Sequence, residues 1–216
     1  MMPSPKIVLF DWDGTLVNSL QGLFEAHNYV RDYLGHEPWT FDEYKTHMQF
    51  SSRELYPRLY GERAEEAIKI LYDYYAKNHT NNMQIMPYAE QLLNLLKERK
   101  VPMGVVSNKR HDMLKKEVEH LGWGHYFEST VGAGVAEKDK PAADPVNYAL
   151  NIMNIHEEPD NIWYIGDTVT DLQTAKAVKC KAILVLNGEN KQDLISTYEP
   201  FLTADNCMDI VEYISE

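Results

Sequence analysis

The first sustained apolar run is Ile7-Val-Leu-Phe10, which stops at a pair of acids, Asp11 and Asp13, with Gly14 directly after them. A short continuous run bounded in this way predicts a buried strand that delivers two carboxylates to a sharp turn. The period then changes. Over 18–34, Leu20, Leu23, Phe24, His27 and Leu34 fall near one helical face, with Asn18 or Ser19 suited to cap the start. Gly35 to Thr40, including Pro38, breaks that pattern. Residues 41–48 and 52–60 predict two short helices. Residues 64–78 predict a longer one, with Ile68, Leu71, Tyr72 and Tyr75 at helical spacing. Asn78 to Met86 is polar and turn-like, and Pro87 closes it.

From Pro87 the texture alternates. Leu92, Leu93 and Leu96 mark a helix, and Met103 to Val106 a strand ending in Ser107-Asn108. Met113, Leu114, Val118 and Leu121 give another helix face, and Glu128 to Val131 a weaker strand. A helix begins near Ala142, Ile162 to Ile165 is a strand cut off by Gly166-Asp167, and a helix with Leu172 and Ala175 follows. Ala182 to Leu186 reads as a strand, and Cys207, Ile210, Val211 and Ile214 as the last helix. Strands alternating with helices predict right-handed crossovers and a mostly parallel α/β sheet. The all-helical stretch 18–86 reads as an insertion into a core built from 1–17 and 87–216.

Composition narrows the partners. The 216 residues carry a formal charge of −12 with no block of lysine or arginine, which argues against nucleic acid and anionic membranes as partners for the whole surface. A local cation cluster still suits a small anionic substrate. Cys180 and Cys207 form no CxxC pair and suggest no disulfide framework. No signal-peptide pattern and no apolar run of membrane-spanning length is read, so the expected compartment is the cytoplasm. The eight histidines are scattered without metal-like pairing.

In an open parallel sheet, ligands collect at the carboxyl ends of the strands. Taken in order, those ends supply Asp11 and Asp13, then Ser107 and Asn108, then Asp167 and Asp171, with Lys138 and Lys140 ahead of Pro141. Two acids abutting an apolar strand need a cation or a shared proton, and Mg²⁺ favours oxygen ligands of this kind. A hydroxyl, a lysine and several carboxylates on one edge predict a metal and phosphate site. Asp171 reads equally well as a carboxylate of that site or as an acid matched to the dipole of a helix's first turn. Lys109 and Arg110 lie beside the site and read equally well as a solvated pair.

Four segments together, Asp11-Trp-Asp13-Gly14-Thr15, Val105-Val106-Ser107-Asn108-Lys109, Lys140-Pro141 and Gly166-Asp167-Thr168-Val-Thr-Asp171, resemble the motifs of the haloacid dehalogenase superfamily, in its phosphoglycolate phosphatase-like branch. The resemblance implies a Rossmann-like core with a small helical cap over 18–86. It implies Asp11 as nucleophile and Asp13 as general acid and base. Mg²⁺ would lie on Asp11, the Asp13 backbone carbonyl and Asp167, with Asp171 beside it. Ser107, Asn108 and Lys140 would hold the phosphoryl oxygens. The implied activity is Mg²⁺-dependent hydrolysis of a small phosphorylated metabolite by a monomer or homodimer. A phosphomutase resembling β-phosphoglucomutase, or a non-enzymatic binding module on the same fold, are the alternatives. The acid at Asp13 disfavours dehalogenase and phosphonate-cleaving relatives. Two departures stand out: Lys179-Cys180 where relatives often have glycine, and Ala142 where many carry an acid, with Asp144 nearby. In the insert, the polar stretch 47–54 contains Arg53, whose planar fork suits a second anionic group on the substrate or, alternatively, a solvated pairing with Glu54.

Overall fold

The computed structural model describes residues 4–47, 52–81 and 83–216, with 52–54 as backbone. The chain divides into two compact units, one made of 1–18 and 84–216, the other of 19–83.

In chain order, the larger unit begins with β1 (Ile7–Phe10) and the two-residue β2 (Val17–Asn18). The smaller unit follows with α1 (Leu20–Tyr33), α2 (Phe41–His47), α3 (Ser52–Tyr60) and α4 (Ala64–Asn78). The larger unit resumes with β3 (Gln84–Ile85), α5 (Ala89–Glu98), β4 (Met103–Arg110), α6 (His111–His120), β5 (Ser129–Ala133) and α7 (Asp144–Ile152). It ends with β6 (Ile162–Gly166), α8 (Val169–Val178), β7 (Lys181–Val185), α9 (Gln192–Tyr198), β8 (Leu202–Ala204) and α10 (Cys207–Ser215).

Six strands form one sheet in the order β5-β4-β1-β6-β7-β8, all pairs parallel. β1 is central, which is why its four residues are all buried and apolar: a parallel strand covered on both faces has no polar side. Ile7 and Leu9 cluster with Val106, Val131 and Tyr164 against Val146 and Ala149 of α7, Met153 just after it, and Ala175 of α8. Val8 and Phe10, pointing the other way, are fully buried too. β2 and β3 pair antiparallel where the chain leaves the larger unit and returns, a ribbon inside a stretch read as turn-like. α9 and β8 were not foreseen either: no α9 residue is buried, and β8 is a three-residue edge strand.

In the smaller unit, α1 buries His27, as expected, but with Gly22, Ala26 and Val30, while Leu20, Leu23, Phe24 and Leu34 are only half-buried. Small residues every fourth position let α1 come close to α4, while at its side Phe24 meets Phe41 edge-on and Tyr44 at a tilt. His27 is a core residue. Its Nδ1 lies 2.9 Å from the Tyr56 hydroxyl, and burial pushes its pKa down to about 4, so the ring is neutral and accepts from the phenol. Tyr75 is buried and Tyr74 stacks on Tyr29, whereas Tyr72 is exposed. Among the described residues, no helix is long and apolar enough to cross a membrane.

Candidate active site

β1 carries the chain to Asp11, whose N–H donates to Ile165 O at 2.8 Å and so extends the pairing with β6 by one residue. The chain then turns tightly, with Leu16 and Val17 N–H both donating to Trp12 O. Gly14 takes φ +85°, and a Cβ there would run into the Asp167 carboxylate. Glycine thus serves both the left-handed turn and the close approach of a second acid. Trp12 is turned inward and fully buried, edge-on to Trp123 and Phe127.

Lys140 is the hub. Its buried ammonium donates to Asp11 Oδ1 at 2.7 Å, to Asp171 Oδ1 at 2.7 Å and to the Tyr164 hydroxyl at 3.0 Å. Burial opposes its charge, but Asp11 and the other neighbours outweigh that, and its pKa lies well above the usual lysine value. Asn108 pins the lysine's backbone from both sides: its Nδ2 donates to Lys140 O and its Oδ1 accepts from Lys140 N, each at 2.9 Å. Its side chain therefore reaches the site through Lys140. Ser107 is buried within β4, and its Oγ accepts from Lys109 N at 3.2 Å, so it is no helix cap.

Asp167 follows β6, and Asp171 sits in the first turn of α8. Thr168 and Asp171 form a capping box. Asp171 Oδ2 accepts from Thr168 N at 2.9 Å, Thr168 Oγ1 at 2.6 Å and Asp167 N at 3.2 Å, while Oδ1 takes Lys140. The two readings of Asp171 are compatible: one carboxylate serves the helix start with one oxygen and the site's lysine with the other. Gly166 lacks a Cβ because the Asp171 side chain occupies that space.

Two further lysines complete the arrangement. Lys191 donates to Asp167 O at 2.7 Å and lies 3.8 Å from its Oδ2. Lys109 donates to Asp13 Oδ1 at 2.8 Å and to Glu117 Oε2 at 2.6 Å, so it is not half of a solvated pair; Arg110 pairs with Asp112 at the surface. Lys191 and Glu117 escaped sequence reading because neither lies in a motif. The available signal was an acid, Glu117, at a position of α6 that falls on the same helical face as Met113, Leu114 and Val118.

Oxygens of Asp11, Asp167 and Asp171 lie within 4.8 Å of one another. Burial raises the Asp11 pKa, with Lys140 opposing and Asp171 and Asp167 reinforcing. Burial, and then Asp171, pushes Asp167 up to about 7, against Lys191 and Lys140. Acids brought together against their own repulsion, with glycines cut back to admit them, fit a divalent cation with oxygen ligands. Asp13, about one-third exposed, stands at the wetter side. Arg53 cannot be placed, since its side chain and residues 48–51 lie outside the described residues; Asp144 is the first residue of α7.

The family model described as haloacid dehalogenase-like hydrolase matches residues 8–185. A phosphoglycolate phosphatase of Chromobacterium violaceum is 29% identical over 192 residues, 85% of this chain and 86% of that protein. The phosphoglycolate phosphatase of Aquifex aeolicus is 28% identical over 208 residues, 96% and 95% of the two chains. Among solved structures, a HAD-superfamily hydrolase from Ehrlichia chaffeensis is 27% identical with a TM-score of 0.67, covering 100% of this chain and 98% of that one. A haloacid dehalogenase-like hydrolase from Streptococcus pneumoniae shares the fold at 23% identity, with a TM-score of 0.83 and 99% of each chain covered.

Proposed function

The chain belongs to the haloacid dehalogenase-like hydrolases and is a phosphatase, and we propose that it hydrolyses a small phosphate monoester, with Mg²⁺ as cofactor, through a phosphoryl group carried transiently on Asp11. The observation that carries this reading is the Lys140 ammonium seated between Asp11 and Asp171 at 2.7 Å from each, with the Asp167 carboxylate alongside.

Lys140 holds Asp11 Oδ1 and so fixes the rotation of the carboxylate that attacks phosphorus. As the new O–P bond forms, the bond to the leaving oxygen breaks, and Asp13 supplies the proton that oxygen needs. Asp13 then takes a proton from water, whose oxygen attacks phosphorus and releases Asp11. Ser107 and Lys140 hold the phosphoryl oxygens, and Asn108 contributes by fixing the Lys140 backbone. Mg²⁺ would be held by Asp11, Asp167 and the Asp13 carbonyl, with Asp171 beside them, and would neutralise charge on the phosphoryl oxygens. The helical unit 19–83 acts as a cap that selects the substrate, with Arg53 gripping a second anion.

The test is release of phosphate, with and without Mg²⁺, from phosphoglycolate, sugar phosphates, nucleotides and p-nitrophenyl phosphate. Asp11→Asn removes the nucleophile at nearly constant shape. It is expected to lower turnover by at least about a thousandfold, and near-normal turnover would sink the mechanism.

A further inference from the structure

Glu117 lies on α6, outside all four motifs, and its side chain has 0% exposure. A carboxylate buried to that degree must be paired. Its Oε2 accepts from the Trp12 indole Nε1 at 2.6 Å and from the Lys109 ammonium at 2.6 Å. Both donors belong to the site's own segments. Trp12 stands between Asp11 and Asp13, and Lys109 stands two residues after Ser107. The same ammonium holds Asp13 Oδ1 at 2.8 Å.

From this connection, and resting on the phosphatase reading above, we infer that Glu117 is a positioning residue for Asp13, acting through Lys109. A lysine ammonium rides on a flexible four-carbon stem and is strongly drawn to water. Lys109 is only 6% exposed, because Glu117 anchors it in the interior. Glu117 is in turn fixed by an indole that is edge-on to Trp123 and Phe127. Asp13 sits on a turn at the wetter side, where a carboxylate would otherwise rotate. Held at Oδ1 by an immobile cation, the carboxylate keeps one orientation, from which it delivers its proton to the leaving oxygen as the phosphorus–oxygen bond breaks. A displacement of about 1 Å in such a group is enough to cost on the order of a hundredfold.

The assay compares an alkyl phosphate, whose leaving oxygen needs a proton, with p-nitrophenyl phosphate, whose phenolate leaves unaided. Glu117→Gln keeps an acceptor for Trp12 and removes the charge that anchors Lys109. We expect its kcat loss on the alkyl phosphate to exceed that on p-nitrophenyl phosphate by about tenfold or more, with KM nearly constant. Lys109→Met should reproduce the asymmetry, and the double variant should be no worse than Lys109→Met alone, since Glu117 acts only through the lysine. Equal losses on both substrates, or additive losses in the double variant, would overturn the inference in favour of a packing role. If Glu117→Gln does not fold, Lys109→Met carries the same comparison, and a symmetric loss there overturns it equally. A second readout needs no turnover: acylation of Lys109 by an amine-reactive ester, followed by mass spectrometry, should run at least about tenfold faster in Glu117→Gln, as for an amine released toward water. An unchanged labelling rate refutes the anchor. Absence of phosphate release by the unmodified protein refutes the phosphatase reading instead, while labelling still decides whether Glu117 anchors Lys109.

Discussion

Asp171→Asn separates a carboxylate that builds the site from one that only binds metal. Asp171 uses both oxygens: Oδ2 takes Thr168 N, Thr168 Oγ1 and Asp167 N, and Oδ1 takes the Lys140 ammonium. Asparagine has one acceptor oxygen and one donor nitrogen. With its oxygen toward Thr168 the helix cap survives, but its NH₂ then faces the ammonium, and a charge-assisted bond of about 1.5–3 kcal/mol is lost. With its oxygen toward Lys140 the cap is lost, at about 0.5–2 kcal/mol, and two backbone N–H groups face a donor. Lys140 keeps Asp11 in either case, which holds the cost below the roughly 3–5 kcal/mol of breaking a buried pair outright. The expected loss is about 2–3 kcal/mol, or roughly 4–12 °C in Tm for a chain of this size. The assay is a thermal melt in excess chelator, followed by circular dichroism. An unchanged Tm in chelator, with Mg²⁺-induced stabilisation abolished, would refute the reasoning and make Asp171 a metal ligand alone.

Two further outcomes are expected. Because burial raises both Asp11 and Asp167, the latter to about 7, protons compete with Mg²⁺ for these oxygens. The sign follows from linkage: the native state binds protons the unfolded chain has lost, so these groups make the metal-free protein less stable as pH rises from about 5 toward 8. The stabilisation on adding Mg²⁺ should be larger at about pH 8 than at about pH 6, and equal melting shifts at the two values would contradict this. Arg53→Ala should lower kcat/KM for the preferred substrate by about ten- to a hundredfold while hardly touching p-nitrophenyl phosphate, which offers no second anion; parallel losses would point to folding instead.

What could be read in the sequence was what local chemistry alone dictates. The run Ile7–Phe10 could only be a strand covered on both faces, and it is β1, at the centre of the sheet. Asp11, Lys140, Asp167 and Asp171 converge because their segments all follow strands or crossovers at one sheet edge, and topology brings them together whatever the loops do. What escaped depended on partners far away in sequence. The buried line Gly22, Ala26 and Val30 is chosen by the close approach of α4, and small residues carry almost no hydrophobic signal. The edge strand β8 is three residues long and depends on β7 for its pairing. Lys109 looked like half of a solvated pair because Glu117, eight residues on, carries no motif and its burial follows from tertiary packing around Trp12.

The placement of the lysines explains how a protein of net charge −12 can keep so many acids together. Every acid of the site is paired with a lysine, two of the lysines being shared: Lys140 by Asp11 and Asp171, Lys109 by Asp13 and Glu117, with Lys191 beside Asp167. Those pairings set five carboxylates, Asp11, Asp13, Glu117, Asp167 and Asp171, against three ammonium groups, Lys109, Lys140 and Lys191, which leaves two negative charges. Burial first, and the neighbouring carboxylates after it, raise the pKa values of Asp11 and Asp167, since in a buried site a proton compensates an unbalanced acid. A divalent cation would meet the same deficit without the covalent O–H bond by which a proton cancels the charge of Asp11. The lysines cannot serve in its place. Lys140 is bound on three sides, Lys109 is held by Asp13 and Glu117, and Lys191 by Asp167, Val185 and Glu189, so their positions fix the orientation of the acids while their charge falls short of neutralising them. On the proposed reading, orientation by lysine and neutralisation by a bound metal would be separate functions in this site. Replacing a lysine should misplace an acid even at saturating Mg²⁺, whereas removing Mg²⁺ should leave the acids in place, with Asp11 and Asp167 taking up protons as pH falls through about 7.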